Sequence, residues 1–165
     1  MRILIISDTH IPVLAQKFPQ KIIEEAKNSD VCIHAGDFIE YNVFEKLYNI
    51  TKIYGVYGNM DSREIKQKLP FKQTIDIEGI RIGLIHGDGP PNKLIFFINK
   101  AFAKEFDTIN IFIFGHSHCP CDKTIENRIY FNPGSPTDKV FSSYNSYGIL
   151  EIDNKKIERK LIKIE

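Results

Sequence analysis

The stretch from Asn110 to His118 (Asn-Ile-Phe-Ile-Phe-Gly-His-Ser-His) constrains the fold of this chain more than any other. Its apolar run predicts a buried strand that ends at Gly115. Residues two apart in an extended segment point to the same side, so His116 and His118 can direct two imidazoles at one point. Gly115 has no Cβ, which lets the backbone turn sharply and lets a bulky group approach closely. Taken alone, the stretch slightly favours a simpler interpretation, two hydrogen-bonded histidines at the end of a strand.

The same pattern, an apolar run followed by residues that often bind metals, recurs along the chain. The runs Arg2–Ser7, Val31–His34, Lys52–Tyr57, Ile80–Ile85 and Asn110–Phe114 are followed, in this order, by Asp8 and His10, by Asp37, by Asn59, by His86, and by His116 and His118. Sites in open α/β sheets form outside the carboxyl ends of the strands, so these side chains are predicted to converge. Packing alone explains this recurrence poorly. The remaining histidine, His34, lies within a strand and is predicted to make a buried structural hydrogen bond.

The order of elements predicts an α/β protein. Helices are predicted at Pro19–Asn28, Tyr41–Asn49, Ser62–Lys68 and Leu94–Phe106, and hairpins at Phe71–Ile85, Asp122–Phe131 and Ser146–Ile164. Ser62 has the residue type of a helix N-cap. The chain shows no internal repeat, low-complexity run or linker, so we expect one domain over residues 1–165.

Composition limits the functions that the chain can have. With 42% hydrophobic and 26% charged residues it is an ordinary globular protein. A net charge of +1 provides no long-range field for nucleic acid or for an anionic membrane, so an anionic substrate must be held by a local site. No run approaches the roughly 20 apolar residues of a membrane span. Three cysteines and no secretory-signal pattern favour reduced thiols and a cytoplasmic location.

The predicted cluster contains two Asp, one Asn and four His, all ligands with oxygen or nitrogen donors. A single metal ion would not use seven ligands. Two ions that share a carboxylate would, and such pairs lie about 3.5–4 Å apart. The mixed donors suit Mn²⁺, Fe²⁺, Zn²⁺ or Ni²⁺ better than Mg²⁺ or Ca²⁺, which prefer oxygen ligands.

Five short motifs resemble the sequence blocks of the calcineurin-like metallophosphoesterases. They are Asp8-x-His10, Gly36-Asp37, Gly58-Asn59, His86-Gly87 and Gly115-His116-Ser117-His118. The short chain and the loop Asn132-Pro133-Gly134-Ser135 resemble the small phosphodiesterase branch of that superfamily. The resemblance covers nearly the whole chain. It implies an α/β fold built as a four-layer α/β/β/α sandwich of two mixed β-sheets flanked by helices, with the site at one edge.

The resemblance also implies a ligand set and a reaction. One metal would be bound by Asp8, His10, Asp37 and His118, and the other by Asp37, Asn59, His86 and His116, with Asp37 as the bridge. Asn59 and His86 are the implied catalytic residues. The expected cofactors are two divalent ions per chain, with Mn²⁺ favoured over Ni²⁺, Fe²⁺ or Zn²⁺. The implied reaction is hydrolysis of a small phosphodiester, in which a hydroxide bound to both metals attacks phosphorus.

The chain departs from the family pattern at one position. Many members carry a histidine directly after the Asn of the third block, where it protonates the leaving group, whereas this chain has Met60. Methionine has no proton to donate. The next residue, Asp61, is expected to be ionised and to orient water or Asn59. Substrates with poor leaving groups are therefore expected to react slowly.

Other functions remain open at this stage. Cys119-Pro120-Cys121 beside His118 suggests a zinc knuckle or a redox pair, but a closed zinc site normally needs four ligands, so ordinary thiols are favoured. The fold also serves as a scaffold in the retromer subunit that resembles this branch, and a DNA-repair nuclease belongs to the superfamily. Filled ligand positions favour an enzyme, and the near-neutral charge makes a long nucleic acid an unfavourable substrate. A homo-oligomer is compatible with the sequence.

Overall fold

The computed structural model describes residues 1–164. Within this range the chain forms ten β-strands and four α-helices, and no helix there is long and apolar enough to cross a membrane. The strands are β1 (Arg2–Ile6), β2 (Val31–His34), β3 (Lys52–Gly55), β4 (Lys72–Ile77), β5 (Ile80–Ile85), β6 (Ile111–Ile113), β7 (Cys121–Ile125), β8 (Arg128–Asn132), β9 (Ser146–Asp153) and β10 (Lys156–Lys163). The helices are α1 (Gln20–Lys27), α2 (Tyr41–Tyr48), α3 (Arg63–Lys68) and α4 (Leu94–Ala101), with short 3-10 helices at Pro91–Lys93 and Phe106–Thr108.

The strands form two mixed five-stranded sheets. The first has the order β10-β9-β1-β2-β3, in which β1, β2 and β3 are parallel, β9 is antiparallel to β1, and β10 is antiparallel to β9. The second has the order β4-β5-β6-β8-β7, in which β5, β6 and β8 are parallel and the outer strands are antiparallel. The parallel strands thus lie side by side in each sheet, and their carboxyl ends point in one direction within it.

The sheets pack face to face, and helices cover both outer faces. Ile5 of β1 lies in the core between the sheets with Ile82 of β5, while its neighbour Leu4 packs beneath α1 and α2. On the other side, Ile98 of α4 packs against Phe112 of β6. Because β1 is covered on both faces, its sequence is apolar without alternation. The predicted α/β/β/α sandwich is confirmed.

Most predicted boundaries agree within two residues, and the largest difference is the end of α4. This helix stops at Ala101 instead of Phe106. Lys72 of β4 donates a 2.6 Å hydrogen bond to the carbonyl of Ala101, which satisfies a terminal acceptor and places a positive charge at the negative end of the helix. The predicted N-cap of α3 is confirmed, since Ser62 Oγ accepts from the backbone N–H of Ile65 at 3.4 Å.

A buried carboxylate ties α1 to the first sheet. Glu25, with an 11% exposed side chain, accepts hydrogen bonds from Arg2 Nη2 at 2.7 Å and from the Tyr147 hydroxyl at 3.0 Å, and Lys21 Nζ lies 3.1 Å away. Burial alone raises the pKa of Glu25, but the hydrogen bonds from Arg2, Lys21 and Tyr147 outweigh burial and hold that pKa below its ordinary value. The ionised form of Glu25 therefore stabilises the fold.

Replacing Glu25 with Gln should lower the free energy of unfolding by about 1–2 kcal/mol at pH 7, because hydrogen bonds to a charged group are lost. A depressed native pKa adds stability above the unfolded-state value near 4.5, and this stability is lost as the pH falls through the native pKa. The gap between the two proteins should therefore close in acid. Urea unfolding over a pH series measures it, and Glu24→Gln, on the exposed face of α1, is the control. Equal stability of the Glu25 and Glu24 variants at pH 7 would contradict this account.

Candidate metal centre

The loops after β1, β2, β3, β5 and β6 bring the predicted site residues into one cluster. Its members are Asp8, His10, Asp37, Asn59, His86, His116 and His118. Within residues 1–164, two groups hold donor atoms that all lie within 4.8 Å of one another, Asp8 with His10 and His118, and Asp8 with Asp37 and His86. The structure therefore places the seven side chains together, while their binding of metal stays a prediction.

One half of the cluster is built around two facing imidazoles. His10 Nε2 and His118 Nε2 are 3.1 Å apart. His118 Nε2 lies 3.5 Å from Asp8 Oδ1, and His10 Nε2 lies 3.5 Å from Asp37 Oδ2. Two ring nitrogens and two carboxylates thus surround a single point.

The other half is built around Asn59. Its Oδ1 lies 3.1 Å from both His86 Nε2 and His116 Nδ1. His86 Nε2 is also 3.3 Å from Asp37 Oδ2, so the same Asp37 oxygen lies close to a histidine of each half. His116 Nε2 points away from the cluster, towards the carbonyl of Gly89 at 3.0 Å.

In His86 and His118, the ring nitrogen that faces away from the cluster makes a hydrogen bond. This bond determines which ring nitrogen carries the proton and which one turns a lone pair towards the cluster. A carbonyl oxygen only accepts, so His86 Nδ1 must donate to Ala35 O at 2.7 Å. His118 Nδ1 donates in the same way to the Asp138 carboxylate at 2.5 Å. The Nε2 atoms of both rings are then free to act as metal ligands, as expected of histidines held by a second hydrogen-bond partner.

In this arrangement, carboxylate oxygens and ring nitrogens that carry lone pairs face one another. Positive charge between these atoms would stabilise them. Burial lowers the pKa of His86, but its hydrogen bond to Asp37 and the charges of Asp8 and Asp37 outweigh burial and raise that pKa to about 9. A proton on His86 thus partly balances the carboxylates. Oxygen and nitrogen donors that converge in this way fit divalent cations of the first transition row.

Each carboxylate keeps one oxygen for the protein and turns the other towards the histidines. Ser7 Oγ donates to Asp8 Oδ2 at 2.7 Å, and the backbone N–H of Met60 donates to Asp37 Oδ1 at 2.8 Å. The opposite oxygens, Asp8 Oδ1 and Asp37 Oδ2, are those nearest the imidazoles. The orientation of both carboxylates is therefore set before any ion binds.

The backbone beneath the cluster adopts an uncommon conformation. Five of the seven residues have positive φ: Asp8 (54°), His10 (42°), Asp37 (60°), His116 (70°) and His118 (57°). Residues other than glycine rarely have positive φ. A residue held in a sparsely populated backbone conformation destabilises the fold by about 1–3 kcal/mol. Such strain persists only where surrounding contacts enforce it, and it is common at functional sites.

Gly115 allows the loop after β6 to approach the loop after β1. A Cβ at position 115 would overlap Ser7 Oγ and the carboxylate of Asp8. The close approach predicted at this glycine is confirmed, and the approaching group is the side chain of Ser7 together with Asp8.

Asp61 holds two of the site loops together. Its carboxylate accepts from the backbone N–H groups of Asp37 at 3.0 Å, Ile39 at 2.8 Å and Gly58 at 2.7 Å. Burial raises the pKa of Asp61, and the bonds from Gly58 and Ile39 oppose that rise. The sequence suggested that Asp61 orients water or Asn59, whereas in the structure it binds the backbone of the two loops.

The loop Asn132–Asp138 supports the cluster from behind. Ser135 Oγ donates to the carbonyl of Asp8 at 2.7 Å, and Asn132 Nδ2 donates to the carbonyl of Gly115 at 2.8 Å. Asp138, fully buried, orients His118 and also accepts from the backbone N–H of Phe141. Sequence analysis missed Asp138, since no local pattern marks a partner 20 residues from its histidine.

The remaining histidine and the cysteine pair lie outside the cluster. His34 is buried, its Nε2 lies 3.0 Å from Thr9 Oγ1, and its Nδ1 accepts from the N–H of Gly36 at 3.2 Å, so the predicted structural role is confirmed. Cys119 and Cys121 are free thiols. Neither cysteine belongs to the metal-type groups found in the described part of the chain.

The cluster opens into a cavity of about 460 Å³. His10, Asp37, Asn59, His116 and His118 form its floor. Its walls are mostly apolar and are formed by Val13, Leu14, Met60, Pro91 and Phe141, with Ser117 as a polar member. A second cavity, of about 430 Å³, contacts Asn59 and His86 and is lined by Lys66.

A buried cluster of carboxylates and imidazoles at the carboxyl edge of an α/β sandwich defines a class of proteins with a metal centre, and the comparisons identify the family. A family profile described as the calcineurin-like phosphoesterase superfamily domain matches residues 1–155. A probable metallophosphoesterase of Methanocaldococcus jannaschii is 35% identical over 170 residues, covering all of this chain and 82% of that protein. The chain therefore belongs to the calcineurin-like phosphoesterase superfamily.

One further relative and one solved structure are similar to this chain. A phosphodiesterase of Methanocaldococcus jannaschii is 26% identical over 164 residues, covering 94% of this chain and 96% of that protein. The crystal structure of wild-type Vps29 from Entamoeba histolytica complexed with Zn²⁺ has a TM-score of 0.75 at 21% identity, covering 99% of both chains. The second likeness concerns the fold alone.

Replacing Asp138 with Asn should weaken metal binding about 10–100-fold, because His118 loses the carboxylate that fixes its orientation. Calorimetric titration of Mn²⁺ into metal-stripped protein measures the affinity. The control is Asp122→Asn, which removes a carboxylate on the edge strand β7 that pairs with Arg159 and, within residues 1–164, has no hydrogen bond to a cluster residue. An unchanged affinity in the Asp138 variant would show that the hydrogen bond to His118 has no role in metal binding.

Proposed function

We propose that the protein is a metal-dependent phosphodiesterase that hydrolyses small phosphodiesters at a site for two divalent ions. The observation that carries this proposal is the convergence of lone pairs from both halves of the cluster beneath an open cavity. Membership of the phosphoesterase superfamily and similarity to a phosphodiesterase support it. The reaction adds water across one P–O ester bond and yields a phosphomonoester and an alcohol or phenol.

The contacts support a division of ligands between two ions. The first ion would be held by Asp8, His10, Asp37 and His118, and the second by Asp37, Asn59, His86 and His116. Asp37 is the proposed bridge because its Oδ2 lies 3.5 Å from His10 Nε2 and 3.3 Å from His86 Nε2. Mn²⁺ is the proposed ion, with Ni²⁺, Fe²⁺ and Zn²⁺ as alternatives of similar ligand preference.

Divalent ions at such a site supply positive charge and a hydroxide nucleophile near neutral pH. The chain contributes orientation and hydrogen bonds. Because Asn59 Oδ1 faces His86 and His116, its amide N–H group is left to donate to a phosphate oxygen. His86 Nε2 lies 3.1 Å from Asn59 Oδ1 and 3.3 Å from Asp37 Oδ2, so all three groups would bind the same ion. We therefore assign both Asn59 and His86 to the reacting centre.

The alternatives are a scaffold of the same fold and a nuclease. A scaffold needs no ordered ligand set, whereas here the carboxylates and rings are individually oriented by hydrogen bonds. A nuclease needs cationic side chains along the path of the polymer. Among residues 1–164, no Lys or Arg lines the 460 Å³ cavity, and Lys66 is the one cationic residue that lines the neighbouring cavity beside Asn59 and His86. A single lysine does not form a cationic path for a polymer, which favours a small diester.

Metal removal tests the proposal. Purified protein should carry two divalent ions per chain, chelation should abolish hydrolysis of bis(4-nitrophenyl) phosphate, and Mn²⁺ should restore it, because the ligands alone provide no nucleophile. Elemental analysis and rate measurements on the same samples check both points. A variant with Cys119→Ser and Cys121→Ser should behave as the wild type. Full activity of metal-stripped protein would rule out the proposed mechanism.

Met60→His tests whether this position lacks a proton donor. Met60 is 58% exposed and lines the cavity, so a histidine there would face the substrate. A placed acid contributes about 10²–10⁴-fold, mainly when the leaving group is poor. The variant should therefore gain on alkyl esters, gain little on aryl esters and show a weaker dependence of rate on leaving-group pKa. Met60→Leu is the control. Equal slopes in Met60→His and in the wild type would mean that another group already supplies the proton.

A further inference from the structure

Exposed apolar side chains gather around the mouth of the metal-type cluster. Val13 is 70% exposed, Met60 58% and Phe141 73%, and all three line the same cavity with the half-buried Leu14. Single exposed apolar residues are normal on a protein surface, but a group of them around a concave opening marks a site of interaction. Packing within the protein therefore does not account for the exposure of these apolar side chains.

Three of the wall residues, Met60, Leu14 and Phe141, are attached by their backbone to a residue of the cluster or to a residue that orients one. The N–H of Met60 donates to Asp37 Oδ1 at 2.8 Å, and the N–H of Leu14 donates to the carbonyl of His10 at 2.8 Å. The walls are thus held at fixed positions above the cluster.

Phe141 is attached in the same way at the opposite side of the cavity. Its N–H donates to the carboxylate of Asp138, which also binds His118 Nδ1. Its ring meets the His118 ring edge-on, with 5.8 Å between the ring centres. Phe141 therefore stands directly beside a residue of the cluster, and a ligand held there would touch its ring.

The charge of the cavity limits what it can accept. In the described part of the chain, its lining contains residues of the cluster, apolar residues and Ser117, but no Lys or Arg. Apart from the cluster itself, this lining therefore offers no cationic side chain that would pair with a second anionic group such as a further phosphate or a carboxylate. A volume of about 460 Å³ lies within the range of small-molecule pockets, so it is large enough for a phosphate with one small substituent.

The geometry points to an apolar subsite, formed by Val13, Leu14, Met60 and Phe141, that binds an alkyl or aryl substituent of the phosphodiester. This inference rests on the proposed function and narrows its substrate class. The cluster holds the phosphate, the walls hold an uncharged apolar ester group, and substrates with additional negative charges are disfavoured.

Phosphonates with a single substituent test the subsite by binding, without turnover. Calorimetry on Mn²⁺-loaded protein should show the dissociation constant falling about two- to fourfold for each methylene from methyl- to butylphosphonate, as expected when each group leaves water. 3-Phosphonopropionate should bind no more tightly than methylphosphonate, because its carboxylate has no partner. A dissociation constant that does not change with chain length would overturn the subsite.

Matched variants locate the effect. Phe141→Ser should flatten the dependence on chain length, whereas Phe96→Ser makes the same change at a residue of α4 that is 71% exposed and lies outside the cavity, and should leave the dependence intact. The slope of the dissociation constant against alkyl chain length is compared between the variants. Loss of the apolar contact lowers this slope, whereas a displaced His118 ring weakens the binding of every phosphonate to a similar degree. An unchanged slope in Phe141→Ser would overturn the assignment of this wall.

Hydrolysis of bis(4-nitrophenyl) phosphate by the same preparation separates the two proposals. Turnover with a flat phosphonate series would overturn the apolar subsite and leave the proposed function standing. A steep series without turnover would overturn the proposed function while the apolar binding site stands.

Discussion

The cluster depends on the burial of carboxylate oxygens and imidazole nitrogens that face one another inside the protein. Asp8 is fully buried and Asp37 is 2% exposed, and both face imidazole nitrogens whose protons point away from the cluster or are shared within it. Burying a carboxylate without a partner is costly, and repulsion between neighbouring lone pairs adds to that cost. Without a metal, a proton on His86 offsets part of it, because the charges of Asp8 and Asp37 outweigh the effect of burial on its pKa. Divalent cations would offset much more of it, and their binding would then be linked to folding stability.

The fold imposes this arrangement through its backbone. Loops from both sheets meet here, and most of the cluster residues have positive φ. Asp61, Ser135 and Asn132 hold these loops by accepting from backbone N–H groups or donating to carbonyls. Many short hydrogen bonds thus offset the conformational strain. Because the contacts cross from one sheet to the other, the cluster forms only when the sandwich is complete.

A feature of the fold or of the cluster could be predicted from the sequence when neighbouring residues along the chain determine it. The strands and the seven clustered residues follow from apolar runs that end in Asp, Asn or His, a pattern visible within a few residues. The four layers are implied by the resemblance of five short motifs to a known family. The supports do not follow from such a pattern: Ser135 contacts Asp8 across 127 positions, and a serine in a loop carries no sign of its partner. The early end of α4 has the same cause, since Lys72 lies 29 residues from the carbonyl that it caps. Hydrogen bonds between distant loops decide such details, and periodicity does not record them.

Asp138 joins the chemistry of the cluster to the shape of the cavity. One carboxylate accepts from His118 Nδ1 and from the backbone N–H groups of Val140 and Phe141, so it fixes a cluster imidazole and an apolar wall together. A displacement of Phe141 must stretch these bonds or move Asp138, and a moved Asp138 turns the His118 ring. A substrate group that does not react but contacts Phe141 would therefore influence the orientation of the His118 ring. Enzymes gain rate when such remote binding improves the geometry of the transition state more than that of the ground state. In the proposed enzyme, the loop that carries Asp138 and Phe141 would provide the physical connection for that effect.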